Sequence, residues 1–178
     1  MTPSARPSLK VSVLGVGERV RLIQGDGLLS LVGLNVDVVV LAGLSGATFL
    51  HWCAAAPDVV HGLDRLVVQP NGHLSTFRRY AYEQGLHLLD ESARVEGGRH
   101  FITCAFGAGR AGRDPAYERA ALPLEQAFEL GPVLFARRDP LALEYYELQA
   151  RRISALVASG RREHSVLLAT FERGLARA

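Results

Sequence analysis

The apolar positions change period several times along the first two thirds of the chain. Arg19 to Gln24 (RVRLIQ) alternates apolar and polar residues and runs into Gly25-Asp26-Gly27, which predicts a strand closed by a tight turn. Val36 to Leu41 (VDVVVL) is β-branched with almost no polar face, as expected of a strand buried on both sides. Gly43 and Gly46 follow it, and Thr48 to Ala56 reads as a helix stopped by Pro57. Arg65 to Gln69 (RLVVQ) predicts a third short strand, ended by Pro70-Asn71-Gly72. Leu74, Phe77 and Ala81 recur at helical spacing, with Gly85 as the stop. Leu86 to Ala93 and His100 to Phe106 flank Glu96-Gly97-Gly98 and predict an antiparallel hairpin, followed by a Gly/Arg loop from Gly107 to Asp114. Strand–helix units that end in a hairpin predict an α/β sheet with mixed edge strands.

The last forty residues follow another rule. Leu143, Tyr146, Ala150, Ile153 and Val157 are spaced 3, 4, 3, 4, a coiled-coil-like seam. Ser159 to Arg162 reads as a loop, after which Leu167, Phe171 and Leu175 recur every four residues. This predicts a helical hairpin packed on itself or on the sheet domain. Two amphipathic helices completing one core would leave the same pattern.

Composition narrows the class. At 178 residues, 48% hydrophobic and 21% charged, the chain suits one domain with a small appendage and excludes a disordered polymer. The longest apolar stretch, Val36 to Leu50, is broken by Asp37, Gly43, Ser45, Gly46 and Thr48, short of the roughly 20 residues a membrane helix needs. The first seven residues lack the apolar core of a signal peptide, so a cytoplasmic protein with no membrane partner is expected. Cys53 and Cys104 read as buried free thiols, and no second ligand at zinc spacing accompanies either. A net charge of +2 does not by itself demand a nucleic acid. Residues 137 to 178 hold eight arginines against five acidic residues, which fits a solvated helix surface or a phosphate-contacting face.

In open α/β sheets ligands bind beyond the carboxyl ends of the strands, and three such ends carry suggestive residues. In Gly25-Asp26-Gly27 a carboxylate sits between two glycines, able to accept from a nucleobase amine where the backbone approaches closely; a plain turn uses the same residues. Ala42-Gly43-Leu44-Ser45-Gly46 ends the most apolar strand, and the following helix aims free N–H groups outward. It is neither a P-loop nor a nucleophile elbow, since it lacks Gly-Lys-Ser/Thr and has Ala47 where an elbow needs glycine. Gln69-Pro70-Asn71 could present a carboxamide to a base edge or form a helix cap or turn. The six histidines are scattered without triad or ligand spacing. Asp90-Glu91 reads as a surface pair, with a paired-carboxylate site as the alternative.

In order, RVRLIQGDGL (19–28), VDVVVLAGLSG (36–46), RLVVQPN (65–71), the hairpin Glu91…Gly97-Gly98-Arg99-His100 and GPVLFARRDPLALEYYELQARRISAL (131–156) resemble the bacterial tRNA (adenine-22-N1)-methyltransferase family over roughly residues 8 to 158. The resemblance implies a partial Rossmann-like domain over 1–115 and a C-terminal helical, coiled-coil-like domain over 116–178. It implies S-adenosylmethionine as cofactor, tRNA as partner and no metal. Asp26, between Gly25 and Gly27, would lie near the donor's adenine. Ala42 through Gly46 would match the family's AGMGG segment and line the cleft between donor and target adenine, with Ala42 and Gly43 also binding the donor and Gly43, Leu44, Ser45 and Gly46, like Gln69 and Asn71, as cleft-lining candidates. Gln69, Pro70 and Asn71 match the family's QPN. The basic hairpin would hold tRNA phosphates, and methyl transfer would be a direct displacement aligned by the protein.

The chain departs from the family in two ways. AGMGG reads AGLSG, with Leu44 and Ser45 substituted. The family's glycine-rich first strand-turn and the acidic-ended second strand have no counterpart; Ser4 to Gly17 reads as the helix and loop preceding the third strand. The sheet is then expected to lack its first two strands. Arg19–Gln24 would shift across to pair with Val36–Leu41, or another chain, such as a second copy in a homodimer, would cover the open edge. Two functional expectations remain: a methyltransferase, truncated or inactive as written, and a non-catalytic tRNA-docking relative without the donor site.

Overall fold

The structure is a computed structural model, and it describes residues 19–107 and 114–176. After a 3₁₀ turn at Gly27–Leu31, the elements run β1 (Val38–Ala42), α1 (Gly46–Ala55), α2 (Pro57–His61), β2 (Arg65–Gln69), α3 (Leu74–Glu83), β3 (His87–Glu96) and β4 (Arg99–Gly107). The C-terminal part is helical: α4 (Pro115–Ala120), α5 (Leu124–Leu130), α6 (Pro132–Arg137), α7 (Pro140–Ala158) and α8 (Ser165–Ala176). The strands form one sheet in the order β1-β2-β4-β3, with β1 and β2 parallel and the other two pairings antiparallel. This is the expected partial α/β sheet with mixed strands. The hairpin is as predicted, and Gly97 and Gly98, at φ of 55° and 73°, make the two-residue turn that suits the strand twist.

The sheet is covered on one face only, among the described residues. Register puts Val39 beside Leu66, Leu41 beside Val68, Leu66 beside Phe106 and Val68 beside Cys104, and all of these are buried. Phe49, Cys53, Phe77 and Ala81 of α1 and α3 pack over them with no exposed surface. Each buried phenylalanine contributes about 2–3 kcal/mol of hydrophobic stabilisation. The opposite face leaves Val38 at 51% and Val40 at 65% exposure. This corrects the expectation that Val36–Leu41 is buried on both sides: an all-apolar run records the strand, not how many of its faces are covered. Arg19–Gln24 forms no strand either. It is an exposed segment, so the shift across to β1 does not occur, and β1 stands at the edge of the described sheet. Alternation alone could not distinguish a strand from an extended segment without a pairing partner. The expectations for Ser4–Gly17 and for most of the Gly107–Asp114 loop lie outside the described residues.

Asp90 and Glu91 are not a pair. A bulge between Leu88 and Asp90 shifts the alternation, so that Leu88, Glu91 and Ala93 face the core together. Asp90 stays exposed and meets Arg137 at 2.6 Å. The Glu91 carboxylate is buried against the Arg78 guanidinium of α3, with Nε donating at 2.8 Å and Nη2 at 2.7 Å from the same oxygen. Arg78 Nη1 also donates to the Phe128 carbonyl (2.7 Å) at the end of α5. The second Glu91 oxygen accepts from the Val133 N–H (2.9 Å) at the start of α6. Burial works most strongly against the Arg78 charge, but Glu91 beside it, together with Cys104, Tyr117 and Tyr146, more than offsets this and holds the guanidinium pKa above its ordinary value. Gly131, between α5 and α6, has φ 84°, and a Cβ there would fall 2.5 Å from Arg78 Nη2. Glycine is therefore required where the helical part meets the ion pair.

The C-terminal seam is as predicted. Tyr146 and Ile153 are buried on α7, Phe171 is buried on α8, and Tyr146 Oη donates to the Leu130 carbonyl at 2.6 Å. Asp139 caps α7, accepting from the Leu141 and Ala142 N–H groups at 2.9 and 3.0 Å, with Pro140 as its first residue.

Removing one partner leaves a buried charge uncompensated, so Arg78→Met or Glu91→Gln should each lower unfolding stability by about 3–5 kcal/mol. Urea titration should show the double variant losing well under the sum of the two singles. Additive losses would mean that the groups are not coupled.

Candidate functional site

Because β1 and β2 are parallel, with Ala42 opposite Gln69, their following loops leave the same end of the sheet side by side. Backbone hydrogen bonds fasten the loops together. The Gly43 N–H donates to the Gln69 carbonyl (3.1 Å), the Asn71 N–H to Leu44 (2.8 Å) and the Gly46 N–H to Gly72 (2.9 Å). The Asn71 carboxamide adds a fourth bond, Nδ2 donating to the Gly43 carbonyl at 2.6 Å. Of the roles considered for Asn71, the loop-forming one holds: its amide nitrogen is engaged within the protein. Gln69 likewise turns its Nε2 to the Pro70 carbonyl, 3.3 Å away.

The glycines in these loops differ in purpose. A Cβ on Gly46 would lie 2.5 Å from the His73 carbonyl oxygen, so Gly46 permits the close approach of the two loops. Gly43, at φ 81°, has open space where its Cβ would be. Ser45, which replaces a family glycine, turns its hydroxyl back on α1 and accepts from the Ala47 N–H at 3.2 Å, an N-cap. Its side chain thus serves the helix. Leu44, the other substitution, is 44% exposed at the loop tip. His73 enters α3 from the left-handed region at φ 58°, a conformation uncommon outside glycine.

The structure fastens Ala42–Gly46 and Gln69–Asn71 together and packs Gly25-Asp26-Gly27 against α1, the helix that Gly46 opens. That turn lies against Trp52, two turns into α1. A Cβ on Gly27 would fall 2.4 Å from the indole, and one on Gly25 would fall 2.3 Å from the Ser30 Cβ. Asp26 is exposed, and its carboxylate caps no helix and joins no ion pair among the described residues. Among those residues no hydrogen bond joins the turn to the loops.

From Pro70 and Asn71 a groove of about 470 Å³ continues past His73 to Arg99 and His100 at the hairpin tip and to Tyr145 and Arg152 of α7. Sequence reasoning passed over His100 and Arg152, since nothing in their local spacing links the hairpin to α7. Cys53 and Cys104 are free and buried. Burial pushes the Cys53 thiol up to about 12, and burial with Glu91 nearby raises Cys104 further. Neither therefore supplies a thiolate at neutral pH. Among the described residues no helix is long and apolar enough to cross a membrane, and no cluster of three potential metal ligands occurs.

Gly46→Ala should cost about 1–3 kcal/mol by forcing the loops apart, and Asn71→Ala about 1 kcal/mol by removing a bond. Thermal unfolding should rank Gly46→Ala as the more damaging. The reverse order would mean that the loops separate freely.

Residues 2–103 match the family model described as a methyltransferase domain. The chain is 30% identical over 142 residues to the tRNA (adenine(22)-N(1))-methyltransferase of Bacillus subtilis, which covers 79% of this chain and 58% of that protein. It therefore spans less than two thirds of that relative's length. The crystal structure of the B. subtilis M1A22 tRNA methyltransferase TrmK superposes with a TM-score of 0.84 at 23% identity, covering 98% of this chain and 79% of the other. M. capricolum TrmK, in complex with S-adenosyl-homocysteine, superposes with a TM-score of 0.75 at 16% identity, covering 95% of this chain and 74% of the other.

Proposed function

Because the chain belongs to the methyltransferase-domain family, we propose that it is an S-adenosylmethionine-dependent tRNA methyltransferase of the adenine-N1 type. The observation that carries this reading is the pair of fastened loops, Ala42–Gly46 and Gln69–Asn71, at the carboxyl ends of two parallel strands. That is where α/β sheets bind ligands. The likeness to the B. subtilis tRNA enzyme runs across both loops.

The residues present fit the donor in part. Asp26 offers an uncommitted carboxylate to an adenine amine, and its flanking glycines leave the turn no bulkier than its packing allows. Open space beside Gly43 lets a ligand approach the backbone. S-adenosylmethionine, when bound, supplies a sulfonium methyl that passes to adenine N1 as the thioether leaves. In this reading Asp26 holds the donor, Ala42 and Gly43 form the near wall, and Leu44 through Gly46 with Gln69 and Asn71 shape the cleft. The gain comes from holding two reactants in line. Asn71 acts by fixing the Gly43 carbonyl, and Ser45 by capping α1. Residues 1–115 would form the donor domain and 116–178 the RNA-facing helical domain, in a cytoplasmic protein.

Among the described residues the outer edge of β1 is unpaired, which favours a second reading, a tRNA-docking relative without donor binding. The same edge, with Val38 and Val40 exposed beside it, is the surface a second copy would cover in a homodimer.

Calorimetric titration of the 178-residue chain with S-adenosylmethionine should show binding, and Asp26→Ala should abolish it with the circular dichroism unchanged. A folded chain that binds tRNA but no donor would leave the docking reading. Sedimentation should show a concentration-dependent dimer that Val40→Lys returns to monomer, whereas a monomer at all concentrations would exclude the homodimer.

A further inference from the structure

The groove that leaves the strand-end loops is walled by three elements distant in sequence. The α3 entry brings His73, the tip of the β3–β4 hairpin brings Arg99 and His100, and α7 brings Tyr145 and Arg152. Arg78 also lines it, its charge paired with the buried Glu91 carboxylate. Arg99 and Arg152 are exposed and take part in no ion pair among the described residues; Arg99 lies over the Phe101 ring at 5.5 Å. Glu129 is the carboxylate among the lining residues.

His100 is the unusual member. Its side chain is 12% exposed, and both ring nitrogens are buried without a hydrogen-bond partner. The Glu144 carboxylate stands 3.6 Å from Nε2, too far for a hydrogen bond. The Tyr145 ring is 6.0 Å away, centroid to centroid. A buried polar group left unpaired costs stability, and a ligand that supplies the partner recovers it. Two guanidinium groups outside any ion pair among the described residues, beside an imidazole that makes no hydrogen bond and has only Glu144 within ion-pair distance, are the donor set for a phosphate oxygen.

We infer that this groove binds a backbone phosphate of the RNA strand next to the target base, with Arg99 and Arg152 as its clamp and His100 as a positioning residue. The inference rests on the tRNA reading above and gives it an RNA path. The strand would run from α7 and the hairpin tip to the Asn71 end, where the two loops meet. It also gives the Gly97-Gly98 turn a purpose, since the turn holds two basic residues opposite α7.

The test measures fluorescence anisotropy of unfractionated bacterial tRNA with the full chain over a salt series. Donor affinity is measured on the same preparations by calorimetry. Arg99→Gln and Arg152→Gln should each weaken tRNA binding several-fold and lower the slope of log affinity against log salt, and the double variant should lower it by about 0.7–0.9, the one phosphate that both hold. His100→Ala should weaken binding at every salt concentration, and His100→Gln, which keeps a donor, should restore part of it. Arg65→Gln, at the opposite end of β2, should change neither affinity nor slope, and donor affinity should be the same in all of them. Unaltered slopes in Arg99→Gln and Arg152→Gln, with tRNA still bound, would overturn the groove and leave the methyltransferase reading standing. Donor binding without tRNA binding by the unsubstituted chain would overturn the groove, and loss of both activities would overturn the reading beneath it. Binding of polyglutamate, read by calorimetry, with no tRNA binding would assign the groove to an acidic protein segment and overturn it as well.

Discussion

The ion pair between Arg78 and Glu91 is the constraint on which the rest of the molecule depends. Two opposite charges sit together in the core, and each also hydrogen-bonds to a helix end. Arg78 meets the carbonyls that close α5, and Glu91 meets the N–H groups that open α6. The signs suit the helix ends, positive at a C-terminus and negative at an N-terminus. Because charge, hydrogen bonds and helix ends must all be satisfied together, α3, β3 and the α5–α6 junction are held in one arrangement. A buried pair of this kind is poor evidence of added stability, since two apolar residues could fill the volume. What it supplies is position.

That position reaches the proposed site. Arg78, held by Glu91, lines the groove that runs from the strand-end loops to α7, where the helical part and the sheet present their basic side chains to one space. The loops are rigid for a separate reason, the four hydrogen bonds across Gly43, Leu44, Gly46, Gln69, Asn71 and Gly72. Displacing methyl from a sulfonium needs alignment more than it needs an acid, base or nucleophile. A site made of fastened backbone, with side chains turned inward to hold it, suits that chemistry. Ser45 illustrates the point: a hydroxyl where the family has glycine is spent on capping its own helix.

The hairpin, the β2 strand, the α3 helix and the seam of α7 were all legible because each has a local cause. Gly97-Gly98 permits positive φ, the β-branched run RLVVQ favours an extended chain, and the apolar spacing along α7 follows the helical repeat. The strand-end loops were legible as candidate chemistry because their glycines and Pro-Asn stand at the carboxyl ends of predicted strands, where α/β sheets bind ligands. What Asn71 binds was not legible, since a turn and a base contact ask for the same side chain. The three short helices between 115 and 137 went unseen because each is too brief to show a period.

By itself, then, the sequence determined the paired strands, the longer helices, the turns between them and which family's motifs stand in order, because propensity, turn chemistry and periodicity act over a few residues. Tertiary structure decided the rest. A one-residue bulge chose Glu91 over Asp90 for the core, since a shift in register exchanges the two faces of a strand. Pairing and packing left Arg19–Gln24 unpaired and Val38 and Val40 uncovered, because burial is a property of what lies opposite. Only the fold could bring His100 and Arg152 to one groove, because residues from a hairpin and a distant helix share a site through contact in space and carry no common signal along the chain.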